Sequence, residues 1–444
     1  MSTNEELRET PLENSDGLTA AELEAQHPAD AAEAIEGLDI PDQVKFIKQL
    51  PIKDAAESIA EMEPHDQQAL VKRLNQGLAA RIVEQMSPDD ATDLLEGLDP
   101  DLRHALLIRV PAEERAELKT LLTFDPDTAG GVMNTEAVIL DQDLTPDQAI
   151  AVIRQDIEDK EVPYYAYLTD QKDRLMGVVS LRDLLLAKRG IALKELVREQ
   201  NLISVGYNVD KEEVAHLIAR YNLLALPVVD FGNRLLGVVT VDDVIDIIHE
   251  EASEDMQTMV GAGADESTDS PVPFSVRKRL PWLCLNVLFS AVSAWVVHLF
   301  EGNIQSMAVL AVLMPIVANQ AGNTGQQALA VMIRQLAMER FDRKRAWLAV
   351  LRELRVGLAN AVIISVLVFC AVYFSSHQLM LASVMGVALW MDMMLGAFAG
   401  ASIPLLLKEL GRDPAQASSI FLTTITDSMG FLFLLGLAGL VLLN

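Results

Sequence analysis

Two carboxylates, Asp392 and Asp427, lie inside otherwise apolar stretches of the C-terminal half of the chain. A charged side chain at the centre of a bilayer costs about 2.5–3.5 kcal/mol or more, so it must face a partner or a water-filled path. Around Asp427 stand Thr423, Thr424, Thr426, Ser428 and Gly430, which give its helix a polar face. Asp392 has no such face: it sits between Met391 and Met393 and reads equally as an interhelical contact or a second site. A third polar feature follows Pro315, the run Asn319-Gln-Ala-Gly-Asn-Thr-Gly-Gln-Gln327. So much amide and glycine would be costly against lipid. It suits either a hydrated path lined by backbone oxygens and amides or a close helix contact through small residues.

The N-terminal half carries a different chemistry, written twice. Arg174-Leu-Met-Gly-Val-Val-Ser-Leu-Arg-Asp183 returns sixty residues later as Arg234-Leu-Leu-Gly-Val-Val-Thr-Val-Asp-Asp243. A β-rich run precedes each copy (165–168 and 226–229) and a helix follows it, a duplicated β-α-β-β-α pattern that resembles a CBS-domain pair. The resemblance implies that a Ser/Thr and the Asp three residues on hold a nucleotide ribose: Ser180 with Asp183, and Thr240 with Asp243. A carboxylate accepting from two ribose hydroxyls is sound chemistry. No Gly-rich phosphate loop accompanies these residues, so hydrolysis is not expected. Just beyond the second copy, Asp246, Glu250 and Glu254 fall along one helical stripe, with Glu251 and Asp255 adjoining it. Residues 261–273, rich in Gly, Ser, Asp and Pro, end that helix.

The elements that must position these groups are legible from periodicity. Apolar residues recur every 12 positions at Leu38, Leu50, Met62, Leu74, Met86, Leu98 and Val110, and again at Ile35, Ile47, Ile59, Val71, Val83, Leu95 and Leu107. Each unit is a helix of two to three turns plus a turn, too short to stand alone, so the units must stack as a solenoid. After residue 280 come five apolar stretches, roughly 281–300, 306–333, 347–374, 379–407 and 415–443, each of a length that spans about 30 Å of hydrocarbon. The intervening segments alternate. Arg277–Arg279, Arg340 with Arg343–Arg345, and Lys408 with Arg412 are basic, whereas 301–306 and 375–378 carry no Lys or Arg. The positive-inside rule then places the N-terminal half in the cytoplasm and Asn444 on the far side of an inner membrane. Asp413-Pro414 reads as an N-cap with proline at the first helical position, which starts the fifth span there.

Charge divides the chain the same way. The whole carries −29, yet 12 basic and 8 acidic residues follow residue 270, leaving 23 basic and 56 acidic before it, a net of −33. So acidic a half repels nucleic acid and attracts cations. The N-terminus shows no signal-peptide pattern. Two cysteines, Cys284 and Cys370, exclude a disulfide framework or a cysteine metal site. With no cysteine nucleophile, histidine cluster or phosphate loop, an enzyme is not expected. An anion carrier would want Arg or Lys within the spans, and a scaffold without transport leaves Asp427 unexplained.

Taken in order, the solenoid, the CBS pair, the acidic helix, five spans, Gly322-Asn323-Thr324-Gly325-Gln326 and Thr426-Asp427 resemble the MgtE family of magnesium channels along essentially the whole chain. The resemblance implies four parts: a helical N domain (1–130), tandem CBS domains (131–245), a plug helix with its linker (246–272) and a five-helix pore domain (273–444). It implies a homodimer with its pore between the second and fifth helices, lined by Gly322, Asn323, Gly325 and Thr426, with Asp427 facing hydrated Mg²⁺. It also implies closure by cytoplasmic Mg²⁺ bridging Glu57, Asp89 and Asp93 of the solenoid to Asp210, Glu212, Asp243, Asp246, Glu251, Glu254 and Asp255, with Asp413 on a loop, and ATP as a modulator. Asn222 stands where an acid is expected, and Asp243 is claimed by both the ribose and the sensor reading. The alternative is a nucleotide-regulated transporter of another divalent cation such as Co²⁺ or Mn²⁺.

Overall fold

Eight short helices begin at 12-residue intervals: α1 (Pro28–Glu36), α2 (Ile40–Ile47), α3 (Ile52–Ala60), α4 (Pro64–Val71), α5 (Gln76–Gln85), α6 (Pro88–Glu96), α7 (Pro100–Leu107) and α8 (Ala112–Leu121). They are seen in a computed structural model that describes residues 25–156, 165–188, 190–197, 202–264, 266–268, 270–338 and 343–443. The N-terminal residues read above for a signal peptide, and Arg340 among the loop cations, lie outside the described residues. Proline near the start of α1, α2, α4, α6 and α7 presets the helical φ where no N–H is needed. Odd helices pack on odd and even on even, in two rows. Both apolar series close the core between the rows, from Ile35 and Ile47 through Leu95 and Leu107 in one and from Leu50 to Val110 in the other.

The duplicated motif folds into two matching three-stranded sheets. In the first, β1 (Val138–Asp141) runs parallel to β2 (Tyr165–Thr169), which pairs antiparallel with β3 (Leu175–Ser180); α9 (Pro146–Asp156) and α10 (Leu181–Leu186) complete the unit. In the second, β4 (Val205–Gly206), β5 (Ala225–Val229) and β6 (Leu235–Thr240) repeat that order around α11 (Lys211–Tyr221). Even the turns match. Asp173 and Asn233 both take positive φ, and the Asp170 and Asp230 carboxylates accept from the N–H groups of Arg174 and Arg234. The segment leaving the solenoid docks on the second unit: Ala129 N–H donates to Val209 O, Gly130 N–H to Tyr207 O, and Leu121, Ala129 and Met133 join that unit's core.

The acidic stripe is not a separate helix. Helix α12 (Val241–Met259) begins in the second CBS unit and continues through it without a break. The chain forms two compact units, 1–248 and 249–444, and the division falls within this helix.

Among the described residues four helices are long and apolar enough to cross a membrane. They are α13 (Val272–Leu299), most of α16 (Arg343–Ser376), α17 (Leu379–Glu409) and α18 (Ser418–Val441), with the short α14 (Glu301–Ser306) after the first. The remaining long helix, α15 (Val309–Met338), has 30 residues, ample for a span, but is not one of the four; it carries the polar run Asn319–Gln327. Helix α17 is central and packs against α15, α16 and α18.

One boundary departs from the sequence expectation. Helix α18, expected to start at Pro414, begins at Ser418. Asp413 does cap a backbone group, its Oδ1 accepting from Ala415 N–H at 2.8 Å, but in a local turn. Ala417 then takes the left-handed conformation (φ 51°) and gives its N–H to Thr258 O at the end of α12, which holds it out of the helix.

Candidate functional site

In the membrane unit, Asp427 stands nine residues into α18, about 14 Å along a 24-residue helix, slightly short of its midpoint. It is half-buried, as are Thr423, Thr424 and Ser428, while Thr426 is buried and donates back to Leu422 O. Helix α15 lies alongside with Gly322 opposite Thr426 and with Gly325 under Leu422. Asn319, Asn323, Gln326 and Gln327 are exposed. Asn323 Nδ2 reaches Asn319 Oδ1 at 3.4 Å, and Gln326 Nε2 reaches Ser419 Oγ at 3.5 Å. The polar residues of α15 therefore continue toward those of α18.

The same run also makes a close helix contact, so the two readings of it are not exclusive. A Cβ at Gly400 would overlap the carbonyl oxygen of Gly325, and one at Gly396 that of Ala321. Small residues seat α15 against α17, and amides occupy its other side. Asp392, on α17, is fully buried against Gly430 of α18, and neither of its oxygens has a hydrogen-bond partner.

In the N-terminal unit the duplicated Ser/Thr–Asp pairs have separate surroundings. Ser180 caps α10, its Oγ 2.7 Å from Asp183 Oδ2, and both line a cavity of about 600 Å³ with Tyr165, Leu196, Ile203 and Pro227. Such a volume takes a nucleotide-sized ligand. Thr240 is buried and donates to Asp243 Oδ2, and Asp243 faces the solenoid rather than that cavity.

Asp243 meets Asp89, in the first turn of α6. Burial pushes the Asp243 carboxyl up to about 7, with Asp89 and Asp242 adding to the rise. Burial likewise lifts Asp89 to about 6, with help from Asp90. Asp90, which accepts from Ser87 Oγ at 2.6 Å, is raised by burial and then by Asp243, Glu61 and Asp242. Asn134 donates its amide to Asp89 Oδ1 at 3.2 Å. The cluster is an inward-facing set of hard oxygens with too little positive charge, which suits Mg²⁺ or Ca²⁺. Two of its carboxylates, Asp89 and Asp243, face each other; no group of three or more His, Cys, Asp or Glu in metal-holding geometry is found among the described residues.

A second acidic group lies where α12 ends. Asp255 is raised to about 6 by burial, then by Asp413, Glu251 and Glu254. Met259 packs with Leu329, Ile333, Ala399, Ala415 and Leu422, so the end of α12 is seated among α15, α17 and α18. The other expected sensor acids stand elsewhere. Glu57 is 3.9 Å from Lys53, Asp210 caps α11 through Glu212 N–H, and Asp93, Glu212 and Asp246 are exposed. Asn222 ends α11 in the left-handed conformation that Asn tolerates. The sensor set implied by the resemblance left out Asp90, Asp242 and Asn134. Asp90 and Asp242 carried a signal, each adjoining an acid already singled out, whereas Asn134 carried none.

Family models match along the described chain: the MgtE intracellular N domain over 26–127, CBS domains over 129–190 and 193–250, and the MgtE divalent cation transporter over 314–437. The magnesium transporter MgtE of Enterococcus faecalis is 35% identical over 329 residues, 74% of this chain and 72% of that one. This chain belongs to the MgtE family. The MgtE of Thermus thermophilus is 36% identical over 332 residues, covering 74% and 73% of the two chains, and that of Bacillus subtilis 33% over 332, covering 75% and 73%. Among solved structures, the cytosolic domain of the Mg²⁺ channel MgtE in complex with ATP superposes with a TM-score of 0.50 at 35% identity, covering 51% of this chain and 93% of that one.

Proposed function

We propose that this MgtE-family protein conducts Mg²⁺ across the inner membrane and is closed by Mg²⁺ on its cytoplasmic side. The observation that carries the reading is Asp427, half-exposed on the polar side of α18, with the polar run of α15 alongside. In this reading α15 is the fifth span, and two copies of the chain bring their α15–α18 faces together. Asp427, Thr426, Gly322, Asn323 and Gly325 then line a path wide enough for a hydrated ion. Magnesium sheds water reluctantly, so carboxylate and carbonyl oxygens acting through its water shell suit it. The 1–130, 131–245, 246–272 and 273–444 parts act as sensor arm, CBS pair, plug and pore, with Asn444 outside.

Asp89 and Asp243 repel each other across the solenoid–CBS contact, and a divalent cation between them turns that repulsion into a bridge. Glu251, Glu254, Asp255 and Asp413 act in the same way at the end of α12, and Glu57, Asp93, Asp210, Glu212 and Asp246 add field at the surface. A cation preferring the compact arrangement must stabilise it by the difference in its affinity for the two states. The cavity beside Ser180 and Asp183 is the place for ATP, the ligand of the related cytosolic domain.

The test is Mg²⁺ entry into proteoliposomes followed with an internal dye. Wild type should admit Mg²⁺, and Asp427→Ala should abolish entry while remaining folded and dimeric. Wild-type flux through that variant removes Asp427 from the path.

A further inference from the structure

Asn134 belongs to no motif, yet it is fully buried at the point where the solenoid meets the second CBS unit. Its main chain is fixed to β6: Asn134 N–H donates to Val238 O and Val238 N–H to Asn134 O, both at 2.8 Å. Gly237 permits this approach, since a Cβ there would stand 2.6 Å from Asn134 O. The side chain is oriented as well, because its Oδ1 accepts from Glu136 N–H at 2.7 Å. That leaves the amide aimed at Asp89 Oδ1, 3.2 Å away. Strand β6 ends at Thr240, and Thr240 in turn holds Asp243. Strand β6 thus fixes both partners: it pairs with the main chain of Asn134, whose amide grips Asp89, and its last residue holds the carboxylate that Asp89 faces.

We infer that Asn134 is a positioning residue for divalent-cation binding between Asp89 and Asp243. Together with Asp90 N–H, which donates to the same oxygen at 3.1 Å, it fixes the carboxylate's rotation and turns the other oxygen toward a cation shared with Asp243. It also offsets part of the repulsion while no cation is bound. A hydrogen bond to an ionised group is stronger than a neutral one. The inference rests on the proposed Mg²⁺ sensing and concerns how the sensor is built.

The experiment is limited proteolysis of the full-length protein in detergent across a MgCl₂ titration, following cleavage within 121–137, with thermal unfolding in EDTA measured alongside. Asn134→Ser keeps an oxygen for Glu136 N–H but is too short to reach Asp89. It should raise the Mg²⁺ concentration for half-protection about tenfold, the scale of one charge-assisted hydrogen bond, and leave the protein cooperatively folded in EDTA. In an Asp89→Asn background the same change should have no further effect. Asn134→Asp, which replaces the donor with a third carboxylate, should lose protection at low Mg²⁺ and regain it at high Mg²⁺. An unchanged or lowered midpoint for Asn134→Ser overturns the inference while the sensor reading stands. An equal shift in the Asp89→Asn background overturns it too, because Asn134 would then act through something else. Wild type showing no Mg²⁺-dependent protection removes both.

Discussion

Asp89 and Asp243 form a like-charged pair held inside a protein contact, and pH should read it directly. Burial raises both carboxyls, to about 6 and about 7. When the solenoid and CBS unit separate, each returns toward the ordinary range near 4. The compact form therefore binds protons more tightly than the separated one. Its extra stability is present in acid and is lost as pH rises through about 6 to 7. In EDTA, the hydrogen-exchange protection factors over residues 86–96, corrected for base-catalysed intrinsic exchange, should be highest near pH 5 and fall toward pH 8. Asp243→Asn should flatten that profile, and a flat wild-type profile would mean the pair is solvated. How much of this the sequence showed depends on the residue. Asp427 was legible because a carboxylate in an apolar stretch is costly wherever it points. Asp89 and Asp243 came only through family resemblance, since nothing local separates them from the other 54 acids of that half. Asn134 was hidden because its role exists only once β6, its own turn and α6 meet.

The elements were far easier to read, since period and motif act over many residues at once. A 12-residue apolar repeat marks seven of the eight short helices, and a duplicated ten-residue motif marks two sheets and their order. The start of α18 escaped for a definite reason. Asp413-Pro414 has local capping chemistry, and Asp413 does cap, but the Ala417-to-Thr258 bond from a distant helix decides where the helix begins. The seam between α15 and α17 allows a prediction at this scale. Gly400→Ala places a methyl against the Gly325 carbonyl, and a backbone cannot move aside as a side chain can. Overpacking of this kind costs about 1–3 kcal/mol. It should lower the unfolding temperature of the purified protein and, by shifting α15, reduce Mg²⁺ entry. Gly302→Ala, where a Cβ meets nothing within 4 Å, is the matched control and should do neither. Equal behaviour of the two variants would mean that α15 and α17 are not held by this contact.

Over the whole molecule the question is whether Mg²⁺ works by diffuse screening or at particular places. A net −33 before residue 270 is enough for either, because any cation relaxes a repulsive field of that size. Exposed acids such as Asp93 and Asp246 are screened by ordinary salt, whose Debye length falls from about 10 Å at 0.1 M to 3 Å at 1 M. Asp89 is buried and Asp243 half-buried, and mobile monovalent ions screen such a pair less than exposed acids. Protection of the 121–137 segment should therefore appear with a few millimolar MgCl₂ and fail to appear in KCl of equal or tenfold higher ionic strength, about 0.01–0.1 M by that scale. Removing residues 1–111 is the structural counterpart. It deletes Asp89 and most of the solenoid but keeps α8, whose Leu121 belongs to the core of the second CBS unit. That truncated protein should conduct Mg²⁺ in proteoliposomes and need at least tenfold more Mg²⁺ on the sensor side to close, because one side of the Asp89–Asp243 bridge is gone while the field of the remaining acids persists. If KCl protects as well as MgCl₂ and the truncated protein closes at the wild-type concentration, the acidic half acts as a charge reservoir and not through a bridge.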